Sequence, residues 1–196
     1  MRKCRKLFII VIILFAFQYK ALSEESNEIE IEGMSLETSL LNYFTKDQIE
    51  KHVMDYYKYI KKDPGKFIGV EFYPIPKESI FDAYQFTIKK NDKQFKLYMI
   101  KGMLVTESME ECKSKRNKFE TDLKDLLINT ERETDVASHE ADSSGLSIVD
   151  SITYWFKNSD LLELDCYDWS EQTGNIDHLR IGIKSREFND WLGQSY

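Results

Sequence analysis

From Tyr84 to Met99 the chain alternates side chains in the manner of an antiparallel hairpin, and this pattern limits the fold more than any other. Tyr84, Phe86 and Ile88 alternate with polar residues, Asn91-Asp92 offers a tight turn, and Phe95, Leu97 and Met99 alternate on the return. Residues 67–73 form a further β-rich run ended by Pro74 and Pro76, and Gly102 suggests another turn into Met103-Leu104-Val105. A second β group closes the chain: 148–156 and 161–167 flank a turn at Asn158-Ser159, and 179–183 follows. Within 161–167, Leu162, Leu164 and Cys166 share one face while Glu163, Asp165 and Tyr167 share the other.

Helical signals punctuate these strands. Gly33-Met34-Ser35 predicts a helix start with Ser35 as N-cap and Leu36, Leu40 and Leu41 as its apolar face. Thr45-Lys-Asp-Gln48 is a capping box for a second helix, whose stripe runs Ile49, Val53, Tyr56/Tyr57, Ile60 and stops at Asp63-Pro64-Gly65. His52, off the centre of that stripe, reads as solvated. Ser108-Met-Glu-Glu111 opens the longest helix, 109–128, with Met109, Cys112, Phe119, Leu123, Leu126 and Leu127 facing inward. A last helix begins at Ser185 and carries Phe188, Trp191 and Leu192. Residues 129–147 have no periodicity and read as a mobile loop. Strand runs separated by helices, without βαβ alternation, predict an α+β fold: antiparallel β-hairpins, one long packed helix, and short terminal helices.

The first 23 residues decide the compartment. Arg2, Lys3, Arg5 and Lys6 precede 11 uninterrupted apolar residues, Leu7 to Phe17, and small residues Ala21 and Ser23 follow. This is a signal-peptide pattern, and the run falls short of the roughly 20 residues a membrane-spanning helix needs. The expectation is a signal peptide at 1–23 and a single periplasmic or secreted domain at 24–196; the alternative is an uncleaved segment anchoring the chain to the inner membrane. No stable membrane insertion is expected after cleavage. Five of the 27 basic residues and none of the 34 acidic ones lie in the signal, so the remainder carries 22 basic against 34 acidic residues, a net −12. Such a surface repels nucleic acid, which is excluded as a partner.

Cys4 leaves with the signal. Cys112 and Cys166 remain, both on inward positions and 54 apart, and in an oxidising compartment they predict one disulfide.

No catalytic or cofactor motif is present: no nucleophile elbow, no phosphate-binding glycine loop, no Cys-x-x-Cys. His139-Glu140-Ala141-Asp142 lacks zinc-site spacing. The densest polar cluster is Asp165, Asp168 and Glu171 with Asp177-His178, and the aromatic residues Trp155, Tyr167 and Trp169 offer a platform for a sugar or peptide. The candidate surface is therefore Tyr167, Asp168, Trp169, Asp177 and His178. Two functions fit: a non-catalytic envelope protein binding an unidentified protein partner or small ligand, with no cofactor, or a small metal-dependent hydrolase built on Asp165, Asp168, Asp177 and His178.

Five segments together resemble a family of small exported proteins of marine planktonic bacteria: Ile31-Glu-Gly-Met-Ser35, Ser39-Leu-Leu-Asn-Tyr43, Met109-Glu-Glu-Cys112, Cys166-Tyr-Asp-Trp-Ser170 and Phe188-Asn-Asp-Trp-Leu192. The resemblance implies export and a periplasmic location and no particular activity. Gly33-Met34-Ser35, followed by a second helix and a sheet, is also similar to the small lipoprotein subunit of the outer-membrane β-barrel assembly machinery. This chain departs from that family in having no lipobox cysteine, and Leu41-Asn42-Tyr43-Phe44 stands where the family has Gly-x-Pro.

Overall fold

A computed structural model describes residues 26–75 and 78–193; the N-terminal signal pattern, Cys4 and Pro76 lie outside the described residues. Eight strands form one antiparallel sheet: β1 (Val53–Met54), β2 (Phe67–Phe72), β3 (Ala83–Lys89), β4 (Leu97–Val105), β5 (Glu131–Ser138), β6 (Ile148–Trp155), β7 (Leu161–Asp168) and β8 (His178–Lys184). Their order is β1-β2-β3-β4-β8-β7-β6-β5. Each half of the chain is thus a four-stranded meander, and the halves join where β4 pairs with β8, from Met99 opposite Lys184 to Val105 opposite His178. The expected α+β class holds.

Because β5 lies at the far edge from β4, the connection between them must cross β8, β7 and β6. Helix α2 (Met109–Leu123) makes that crossing. Fifteen helical residues span about 22 Å, close to the roughly 19 Å that four strand spacings require. Ser108 caps it by accepting from the Glu111 amide at 3.2 Å, while the Glu111 carboxylate accepts from the Glu107 amide at 2.7 Å. Arg116, nearly buried on the helix, donates to the Asp150 carboxylate at 2.6 Å and backbone carbonyl at 2.7 Å on β6. The predicted disulfide forms: Cys112 and Cys166 are fully buried, with Cα atoms 5.8 Å apart, and fasten the first turn of α2 to β7.

On the same face, the N-terminal segment covers the other meander. Phe44 stacks on Phe72 at 4.1 Å between ring centres, beside Leu40 and Ile49 in the core. No helix starts at Ser35. Glu32, Gly33 and Glu37 have φ of 48°, 78° and 66°, so the chain winds left-handed there, and Ile31 and Met34 bridge across the turn. The segment then lies against β4, with the Leu97 amide donating to the Thr38 carbonyl at 2.9 Å.

The second predicted helix is real but short. α1 (Lys46–Lys51) has the full capping box at Thr45 and Gln48, then ends at His52, and Val53 turns into β1 to pair with Val70. His52 is not solvated: its ring stacks on Phe72 at 4.5 Å and Nδ1 lies 2.8 Å from the Gln48 carbonyl. Its stripe dissolves because Tyr57 and Ile60 pack beneath the opposite face of the sheet, with Phe67, Phe188 and Trp191. There, Ser185 caps α3 (Arg186–Leu192), as expected.

Three further expectations change. Helix α2 stops at Leu123 rather than residue 128. The loop expected at 129–147 contains β5, all eight residues of which are exposed, so its pairing with β6 leaves no apolar alternation to read. Gly102 is no turn but a mid-strand residue paired with Tyr84 and Ile181. An added Cβ there would sit 2.5 Å from the Phe81 ring, which is itself stacked on Phe119. Gly102→Ala is expected to cost about 1–3 kcal/mol through overpacking, measured as the urea midpoint. A change below about 0.5 kcal/mol would show that the ring can move aside.

Candidate functional site

The face of the sheet opposite α2 carries the unusual chemistry. Register places Glu163, Asp165 and Tyr167 of β7 opposite Gly182, Arg180 and His178 of β8, and these opposite Lys101, Met103 and Val105 of β4. One face of three central strands therefore holds six ionisable side chains: Lys101, Glu163, Asp165, Tyr167, His178 and Arg180.

At its centre, Glu163 joins Lys101 at 2.7 Å and Lys184 at 2.5 Å, all three side chains at most 15% exposed. Gly182 makes this possible. It lies between Lys101 and Glu163 in the register, and an added Cβ would sit 2.2 Å from Lys101 Cγ, so the lysine crosses β8 only where no side chain stands. Burial raises the Glu163 carboxyl, but the two ammonium groups outweigh it and hold the group below the usual carboxylate range. Asp165 goes the other way: burial, reinforced by the Glu163 charge, pushes it up to about 6.

Towards the β7–β8 turn the cluster becomes aromatic. Tyr167 stacks on His178 at 4.6 Å and on Trp169 at 5.9 Å, and His139 packs against Trp169 at 4.4 Å. The Arg180 guanidinium sits 4.5 Å from the Tyr167 ring centre. His178 Nδ1 lies 2.7 Å from the Ile176 carbonyl, which makes Nδ1 the protonated nitrogen and Nε2 an acceptor. Burial, then the nearby Arg180 charge, lowers the imidazole to about 4, so it is neutral at pH 7.

This corner opens into a groove of about 340 Å³. Ala83, Met103 and Val105 form its floor, and Trp169, Asn175 and Ile176 of the β7–β8 turn form a wall. Tyr73, 62% exposed, lines it with Glu71, Asp82 and Arg180. The fold fixes one oxygen of each carboxylate: Glu71 accepts from Tyr56 and Gln85, and Asp82 from the Val105 amide at 2.8 Å. Among the described residues, a few buried side-chain polar atoms have no hydrogen-bond partner. Three belong to residues lining this groove: Trp169 Nε1, His178 Nε2 and Arg180 Nε. Such atoms ordinarily cost about 1–3 kcal/mol each.

A wider depression of about 650 Å³ lies near Tyr98, but its lysines are already neutralised. Glu187 holds Lys66 and Lys89, and Glu37 holds Lys96.

Of the residues singled out from sequence, Tyr167, Trp169 and His178 come together. Asp177 is a staple, accepting from the Trp169 amide at 2.7 Å. Asp168 is exposed and, by register with Ile148, belongs to the α2 face, whereas Asp165 is buried on the other. These carboxylates do not converge with His178, and among the described residues no group of three or more His, Cys, Asp or Glu could hold a metal ion. Trp155 stands at the far end of β6, opposite Leu161, and bonds Glu133 instead of joining Tyr167. Asp142 serves its own loop, accepting from the amides and hydroxyls of Ser144 and Ser147, which hold it well below the carboxylate range.

The two perturbed groups oppose each other in pH. His178, ordinarily near 6.5, resists protonation in the folded state, so its contribution is present above pH 6.5 and lost as pH falls towards 4. Asp165, ordinarily near 3.8, holds its proton in the folded state, so its contribution is present below that value and lost as pH rises through about 6. Asp165→Asn is therefore expected to steepen the loss of stability between pH 6.5 and 4, and His178→Phe to flatten it, in urea midpoints measured across that range. Parallel profiles for both variants and the parent would contradict the assignments.

Compared with protein-family models, curated proteins and solved structures, the chain matches none of them.

Proposed function

We propose that the chain is an exported, non-catalytic protein of the cell envelope that binds a small ligand in the groove between β4, β8 and the β7–β8 turn. The concentration of unpartnered buried polar atoms at Trp169, His178 and Arg180 carries this reading. The groove's size supports it too, at the lower end of the roughly 300–1,000 Å³ of small-molecule clefts. Export rests on the N-terminal pattern and on a disulfide suited to an oxidising compartment. Among the described residues no helix is long and apolar enough to cross a membrane.

Two measurements test the reading. Fractionation is expected to recover a chain starting near Glu24 from the envelope; a full-length chain in the cytosol would overturn export. The low-molecular-weight filtrate of an envelope extract is expected to raise Tm by several degrees, and Arg180→Ala is expected to abolish the shift. An unchanged Tm with the parent protein would overturn ligand binding.

A further inference from the structure

Resting on the binding reading above, we infer that the ligand is a neutral saccharide of one or two hexose units. The groove's chemistry disfavours anionic and wholly apolar ligands. Glu71 and Asp82 line it against a single cation, Arg180, so a carboxylate or phosphate ligand meets a net negative wall. A wholly apolar ligand would strip water from Arg180 and from the carboxylate oxygens of Glu71 and Asp82 that the fold leaves open, at a cost of several kcal/mol.

A neutral sugar meets every surface with its complement. The C–H face of a pyranose ring is apolar and suits the Ala83, Met103 and Val105 floor. It also suits the exposed face of Tyr73, a residue type favoured where recognition is partly wet. Hydroxyl groups donate and accept at once. They can donate to Glu71 and Asp82, each already oriented through its other hydrogen bonds, and accept from Arg180 and Asn175. His178 lines the groove as a neutral imidazole whose Nε2 has no hydrogen-bond partner.

The test is an NMR titration of the mature protein, oxidised at Cys112–Cys166, following the Trp169 indole and Met103 methyl signals. The probes are neutral mono- and disaccharides of glucose, galactose, mannose and N-acetylglucosamine, set against glucuronate and hexanoate. At least one neutral sugar is expected to shift both signals saturably, and Tyr73→Ala to weaken that binding about tenfold. Glucuronate is expected to leave the parent unmoved and to bind the Glu71→Gln/Asp82→Asn variant, a gain that misfolding cannot produce. If glucuronate or hexanoate binds the parent while the neutral sugars do not, the groove binds ligands and the saccharide assignment is wrong. Silence from every probe also overturns the saccharide assignment, and the Tm shift with envelope filtrate then decides the binding reading separately.

Discussion

Replacing Cys112 and Cys166 together by alanine is expected to lower the unfolding free energy by about 4 kcal/mol, the chain-entropy value for closing a loop of this length. The bridge closes 54 residues, and that loop contains most of α2, all of β5 and β6, and nearly all of β7. Opening it frees the denatured chain to explore far more conformations. It also leaves two vacated sulfur sites in a region with no exposure, adding a packing term of the same sign. Urea denaturation of the variant against the oxidised parent measures the difference, and reduction of the parent should reproduce most of it. A loss below about 1 kcal/mol would mean that the α2–β7 contact is held by side-chain packing alone.

Glu163→Gln is the second large effect, expected to cost about 3–5 kcal/mol. The carboxylate lies between Lys101 and Lys184, whose side chains are only 8% and 10% exposed, so neutralising it leaves two ammonium groups desolvated and facing each other. Asp165 is the remaining anion. With the Glu163 charge gone, its carboxyl loses one cause of its upward shift, and its titration should move towards lower pH. An NMR titration of Asp165 in the variant reads this shift directly. A cost under 1 kcal/mol with Asp165 unmoved would show that the three charges are not energetically linked.

Both predictions concern partners far apart in sequence, and this separates what was legible from what was not. The strands at 84–88 and 161–167 were legible because Tyr84, Phe86 and Ile88, and Leu162, Leu164 and Cys166, face one core at alternate positions, whereas the expected alternation of Leu97 and Met99 breaks at a register shift that sends them to different clusters. The cysteines were legible for the same reason, Cys112 by helical phase and Cys166 by strand phase. β5 was not, because an edge strand exposed along its whole length is held by backbone pairing to β6, which no side-chain pattern records. The helix expected after Ser35 failed on backbone conformation: Glu37, with a left-handed φ, donates its amide to the Leu97 carbonyl of β4, and Glu32, also left-handed, is held through its carboxylate by Ser79, Ile80 and Tyr84.

The site divides in the same way. Tyr167, Trp169 and His178 are close in sequence and formed a visible aromatic and polar cluster. Arg180 and Met103 were missed because they meet only through the β4–β8 pairing, a contact between the two halves of the chain that has no local signature. Tyr73 and Asp82 come from the other meander; Tyr73 was read as the end of a strand run, and Asp82 carries no local signal. Gly182, the residue that lets Lys101 reach Glu163, looks from sequence like any small residue in a strand.

The measurement closest to the central claim is the mass of the protein purified from the cell envelope without added ligand, recorded first under native and then under denaturing conditions. The account predicts a native mass greater than the denatured mass by one small molecule, with the excess lost in the Trp169→Ala protein while its fold, read by circular dichroism, is kept. Equal native and denatured masses for the parent, or an excess that survives in Trp169→Ala, would contradict a ligand seated in this groove.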